Sequence, residues 1–147
     1  MFVKIRYDKR KDDPEFRIPR LLRTRLNHAL DGKIKVASAV LDLGCSISEF
    51  KVYLERKFYV NPKTNQMMTW DDRGRYGWHL DHIVPLSYFD LKDREQAKIA
   101  CHYTNIQPLW AEDNLKKGNK VPTNVDDLIA SISQEIKKTA PIADKNT

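Results

Sequence analysis

A chain of 147 residues, 41% of them hydrophobic, fits one domain with a modest core. It holds no apolar run of membrane-spanning length, and its start, Met1-Phe2-Val3-Lys4-Ile5-Arg6, is broken by charge where a signal peptide needs an apolar stretch, so the expectation is an intracellular, cytoplasmic protein. The net charge of +6 lies in residues 1–36, with eleven Lys/Arg against five Asp/Glu, while residues 37–147 carry fifteen of each, a distribution suited to a polyanion such as nucleic acid or to a merely solvated surface.

Residues 1–17 alternate charge with aromatics and contain Pro14, and are expected as an extended or loosely ordered arm. From Pro19, a residue suited to a first helical position, the text to Leu30 reads as a helix stopped by Asp31-Gly32. Ile18, Leu22, Leu26 and Ala29 form one stripe; Arg20, Arg23 and Asn27 form another. The basic stripe suits a phosphate backbone or water equally. Residues 33–44 read as a small-residue connector, possible helix included, closing at Leu43-Gly44. Ser46-Ile47-Ser48-Glu49 is a capping-box pattern, and Ile47, Phe50, Leu54 and Phe58 follow on one helical face, with Lys51 and Glu55 as an i,i+4 pair. Residues 59–77 read as a long loop anchored by Trp70. Trp78 to Val84 reads as a strand ended by Pro85, Asp90 to Cys101 as a short helix, and Ile106 to Trp110 as a second strand. Glu112 to Lys117 is a brief helix stopped by Gly118. Thr123 or Asn124 caps a last helix with Val125, Leu128, Ile129, Ile132 and Ile136 on its apolar side, and residues 139–147 form a polar tail. Cys45 and Cys101 lack C-x-x-C spacing, which excludes a zinc ribbon and favours two reduced thiols.

The adjacent pair Asp81-His82 is the sharpest chemical feature. A carboxylate is a hard ligand for Mg2+ or Mn2+, and a neutral imidazole can take a proton from water. Asn114 offers an amide oxygen as a second ligand, and two protein oxygens leave room for water and phosphate around one ion. Asn105, nine residues earlier, can tie the inter-strand loop and orient His82. Neighbours on a regular strand face opposite ways, so one phosphate meets both Asp81 and His82 only if the strand twists or ends near His82, or if the phosphate crosses its edge. His79 shares a face with Asp81; a structural or solvent-facing role is the favoured reading over ligand or substrate contact. Lys116, Lys117 and Lys120 suit phosphates or a solvated helix end. Trp78 and Trp110 read as core, and His28 and His102 as structural.

Three segments taken in order, His79-Leu80-Asp81-His82-Ile83-Val84-Pro85-Leu86, His102-Tyr103-Thr104-Asn105-Ile106-Gln107-Pro108-Leu109-Trp110 and Asn114-Leu115-Lys116-Lys117-Gly118, resemble the HNH endonuclease family. The likeness is to the phage-encoded homing and nicking type, and the Asp-His-Ile-Val-Pro strand also resembles the HNH domain of RNA-guided CRISPR nucleases. It runs from about Leu43 to Lys120. The resemblance implies an α+β fold with a ββα-metal (His-Me finger) core at 43–120 among surrounding helices; outside it, charge and pattern give a basic arm and helix at 1–42 suited to DNA contact, and a C-terminal helix and tail at 121–147. It implies Asp81 and Asn114 as metal ligands, His82 as general base and Asn105 as the residue holding loop and base. Asn114 stands where many relatives have His, which bears on the choice of metal, and the bracing cysteine pairs of some relatives are absent. The function so implied is divalent-metal-dependent hydrolysis of DNA phosphodiesters by one Mg2+ or Mn2+, leaving 5′-phosphate and 3′-hydroxyl ends. The partner is double-stranded DNA, with Arg20, Arg23, Lys117 and His79 as candidate contacts, and a monomer or weak dimer is expected to nick. The competing readings are a DNA-binding module without catalysis and a nuclease acting on RNA.

Overall fold

The computed structural model describes residues 13–29, with side chains as far as 25, and residues 40–139. The expectations for the arm before residue 13, for His28, for the Asp31-Gly32 stop, for most of the 33–44 connector and for the tail beyond 139 lie outside the described residues. The architecture is mixed α+β. Helices α1 (Pro14–Ala29) and α2 (Ile47–Arg56) precede strand β1 (Trp78–His82); then come α3 (Arg94–Ala100), strand β2 (Ile106–Trp110), α4 (Ala111–Lys117) and α5 (Val125–Thr139).

Helix α1 starts five residues before the Pro19 expected from sequence. Asp13 explains the difference: its carboxylate accepts from the Glu15 amide at 3.0 Å and its carbonyl accepts from Phe16 and Arg17, so Pro14 takes the first helical position. Pro19 then falls inside the helix. Ile18 and Leu22 are buried from this helix in the same core as Phe50 and Leu54 of α2. Helix α2 begins where the capping pattern indicates, with Ser46 Oγ accepting from the Glu49 amide at 3.1 Å. Lys51 pairs with Glu55 at 3.2 Å.

The loop from 59 to 77 is stitched down at intervals. Val60 bridges Met67, and Trp70 packs edge-on against both Phe58 and Trp78. Gly77 ends it at a point where a Cβ would fall on the Asp72 carbonyl oxygen, so only glycine fits without a backbone shift. Strands β1 and β2 form one antiparallel pair in which Trp78 faces Trp110, Asp81 faces Gln107 and His82 faces Ile106. β1 stops at His82, two residues before the expected Val84, because the chain beyond it turns aside to be held by Asn105.

α4 follows β2 without an intervening loop, and Ala111 N–H donates to the Gly77 carbonyl at 2.8 Å. Tyr59 pins this junction: its hydroxyl donates to Asp113 at 2.6 Å and accepts from the Trp110 amide at 3.1 Å. Gly118 closes α4 at positive φ, as the sequence indicates. α3 runs from Arg94, later than the expected Asp90, because Asp93 is its cap. It packs on α5, which buries Ile132. Cys45 and Cys101 are free. No helix among the described residues is long and apolar enough to cross a membrane.

Candidate functional site

Five of the site residues singled out in the sequence, Asp81, His82, Asn114, Lys117 and His79, line one cleft of about 960 Å³; Asn105 lies behind it. Asp81 and His82 line it from the end of β1, Asn114 and Lys117 from α4, and His79 from β1. The strand-face difficulty is resolved by the strand's ending at His82, after which Pro85 and Leu86 line the same space.

Asp81 is only 6% exposed and is compensated on two sides. Gln107, its cross-strand partner, donates from Nε2 to Oδ2 at 3.0 Å. The Lys117 ammonium lies 3.3 Å from the same oxygen and donates to the His82 carbonyl at 2.9 Å. A buried carboxylate without such partners would carry a heavy desolvation cost. Gln107 was not among the sequence candidates; the cross-strand register is what reveals it.

His82 is 8% exposed. Burial, with help from the positive charges of Arg25 and Lys117, pushes its pKa down to about 3, so its ring is neutral at physiological pH. Asn105 is 1% exposed and acts as a clasp. Its side-chain oxygen accepts from Val84 N–H at 2.9 Å, and its nitrogen donates to the carbonyls of Val84 (3.2 Å) and Ala100 (3.0 Å). The Asn105 carbonyl accepts from Ile83 N–H at 2.8 Å. Asn105 thus fixes the two residues that follow His82 through their backbone rather than through the His82 ring.

His79 has a defined partner. Asn114 Nδ2 can only donate, so His79 Nδ1, 3.1 Å away, must accept. The ring proton then sits on Nε2, which points at the Arg75 carbonyl at 3.2 Å. The two contacts agree on one tautomer, assigned from the network. They orient the Asn114 amide and leave its oxygen as the group available to a ligand in the cleft. Asp81 and Asn114 are therefore hard oxygen donors on one cavity, a set that fits a cation such as Mg2+ or Mn2+. Among the described residues no three His, Cys, Asp or Glu side chains gather as a metal-binding cluster.

The candidate contacts Arg20 and Arg23 do not line this cleft; they border a separate shallow depression on α1 with Glu15, Phe16 and Pro19. The arginines in the cleft wall are Arg25 from α1 and Arg73 and Arg75 from the loop before β1. The sequence reading missed all three. Arg25 lies on neither of the stripes drawn for its helix, and a loop of unassigned shape hides where Arg73 and Arg75 go. Burial lowers the pKa of Arg25, opposed by attraction to Asp81. Burial also lowers the pKa of Arg73, reinforced by repulsion from Arg17. Arg73 Nε is buried without a hydrogen-bond partner among the described residues. Such a donor costs about 1–3 kcal/mol.

The chain is similar to two uncharacterized proteins of Acanthamoeba polyphaga mimivirus. One is 32% identical over 124 residues, covering 77% of this chain and 51% of the relative. The other is 31% identical over 110 residues, covering 74% of this chain and 45% of the relative. The chain spans about half the length of the curated relatives it matches. No family model matches the chain, and no solved structure matches it.

Proposed function

We propose that this protein is a divalent-metal-dependent endonuclease of the HNH type, hydrolysing DNA phosphodiester bonds and nicking one strand per site. The observation that carries the reading is the meeting of Asp81, His82 and Asn114 in one cleft whose other charged walls, Arg25, Arg73, Arg75 and Lys117, are cationic. The antiparallel pair β1 and β2, joined through α3 and followed directly by α4, with oxygen donors on β1 and α4, supports the reading of a ββα-metal core. Here packing and the Asn105 clasp brace it.

Asp81 and the Asn114 amide oxygen would hold one Mg2+ or Mn2+, and the Lys117 ammonium against Asp81 marks the position as one that favours positive charge. The ion, when bound, supplies Lewis-acid stabilisation of charge on the phosphate and its leaving 3′ oxygen. His82, held neutral, takes the proton of the attacking water. A phosphodiester entering the cleft offsets the charges of Arg25 and Lys117, and so raises the proton affinity of His82 when substrate is present. His79 keeps the Asn114 amide turned, and Asn105 keeps the chain beyond His82 in place. The products are 5′-phosphate and 3′-hydroxyl ends.

The test is conversion of supercoiled plasmid to open circle with Mg2+, Mn2+, Zn2+ or chelator. Nicking in Mg2+ or Mn2+ that chelator abolishes is the expected result; intact plasmid under every cation refutes the proposal. A second reading, a DNA-binding module without catalysis, draws on two observations: Lys117 already neutralises Asp81, and His82 is almost wholly enclosed. It predicts duplex binding with no cleavage and no dependence on Asp81 or His82. Competition between duplex DNA and RNA at fixed salt separates an RNA substrate from either.

A further inference from the structure

We infer that Lys117 ties metal binding to substrate binding: it neutralises Asp81 until a cation takes that carboxylate, and then carries its ammonium to a non-bridging oxygen of the phosphodiester. The inference rests on the endonuclease reading above and deepens it. Two side chains engage Asp81. Gln107 donates to Oδ2 at 3.0 Å, and the Lys117 ammonium lies 3.3 Å from the same oxygen and 3.5 Å from Oδ1. Gln107 and Asp81 face each other across the strand pair, so that bond belongs to the sheet. Lys117 has a flexible four-carbon stem and is the last residue of α4. When a cation takes the carboxylate, the lysine is therefore the partner that moves. It does not leave the cleft, because the His82 carbonyl also accepts from its ammonium, at 2.9 Å. That bond uses neither oxygen of Asp81 and so survives the exchange. Nor does the cleft wall offer a second carboxylate. Among the described residues that line it, Asp81 is the only acidic one, beside Arg25, Arg73, Arg75 and Lys117. The anion that compensates a displaced ammonium must therefore arrive with the ligand. Phosphate gains the full attraction of Lys117 only once a cation holds Asp81. A cation on Asp81, in turn, meets the like charge of an ammonium that only phosphate draws away. Both effects are large in a site where the lysine side chain is 19% exposed and the aspartate 9%. Lys117 is then a substrate-binding residue, and the cleft loads cation and phosphodiester as a pair.

The test has two parts. Mn2+ binding by the protein without DNA is read from the free-ion signal in electron paramagnetic resonance. Lys117→Met, which keeps the aliphatic stem and loses the charge, should bind Mn2+ more tightly than the wild type, by a factor in the range of about 5–150 usual for coupled sites. Affinity for a labelled duplex, long enough to stay annealed after one nick, is then read by anisotropy in chelator and in saturating Mn2+ at one ionic strength. Coupling is reciprocal, so Mn2+ should raise the duplex affinity of the wild type. The gain should be smaller in Lys117→Met by about fivefold or more. The ion's own attraction for phosphate, its screening of Asp81 and its competition for the DNA act on both proteins, so the difference between them belongs to the lysine. Lys137→Gln on α5 should match the wild type in both parts. Thermal melting checks that each variant folds; should Lys117→Met not fold, Lys117→Gln is read in its place. Equal Mn2+ affinities, or equal gains, in the wild type and the folded Lys117 variant overturn the inference, as does a wild type whose duplex affinity Mn2+ leaves unchanged. A protein that shows both differences but never nicks keeps the exchange and loses the nuclease. One that nicks with equal gains keeps the nuclease and loses the exchange.

Discussion

The Asn105 side chain uses both of its chemistries at once. Its oxygen takes a proton donor from Val84, and its nitrogen gives two hydrogen bonds to carbonyls. Asn105→Asp keeps the acceptor but sets a carboxylate oxygen against two carbonyl oxygens. The expected loss is about 2–4 kcal/mol of stability by urea unfolding, together with cleavage. A loss below about 0.5 kcal/mol, the size of an ordinary surface change, would show that the clasp is dispensable. Lys117 makes a different statement about the same site. It holds a cationic position against Asp81 that a metal ion would contest. Lys117→Ala should lower stability in chelator by about 1–3 kcal/mol, discounted because the pair is partly solvated. Added Mg2+ should then raise the melting temperature of the variant more than that of the wild type, because the ion no longer competes with an ammonium. An equal Mg2+ shift in both proteins would remove Asp81 from the metal site.

At the scale of elements, the strand pair and the helix that follows it form the part most legible in the sequence. Tryptophans mark both strands, Ile83 and Val84 follow directly on β1, Ile106 opens β2, and Gly118 marks the end of α4. The boundaries were less legible where one side chain decides them. Asp13 moves the start of α1 from Pro19 to Pro14, and the Asn105 clasp cuts β1 at His82; neither effect shows in periodicity. Gly77 is the joint between loop and strand. Its carbonyl receives the first amide of α4, and its missing Cβ makes room for the Asp72 carbonyl. Gly77→Ala should therefore cost about 1–3 kcal/mol, read as a fall of roughly 2–4 °C in melting temperature per kcal/mol. Unchanged melting would mean that the loop has slack the structure does not suggest.

On the scale of the whole molecule, Asp81, His82 and Asn114 could be named from sequence because they sit in a spaced pattern. The cationic walls could not, because Arg25 joins the cleft lined by Arg73 and Arg75 only when α1 docks against the core through Ile18 and Leu22. The same docking logic makes stability depend on pH. His102 is buried beside Gly44 and the Tyr103 ring, with its Nδ1 2.7 Å from the Thr104 hydroxyl. Burial lowers its pKa, against a weaker upward pull from Glu135. The unfolded chain, with a histidine near about 6.5, therefore binds more protons on acidification than the fold does. The contribution is complete above that value and shrinks as pH falls below it. His102→Gln should show a shallower loss of urea midpoint between neutral and mildly acidic pH than the wild type; parallel curves would contradict the assignment.

The central claim is that the imidazole of His82 activates water beside an ion held by Asp81 and Asn114. Its most direct measurement is the single-turnover nicking rate of wild type and His82→Ala in Mg2+, at protein concentrations that saturate the plasmid. The account predicts near-equal DNA affinity and a rate lower by about 10²–10⁴-fold in the variant. Equal rates, or no nicking by the wild type, would contradict it.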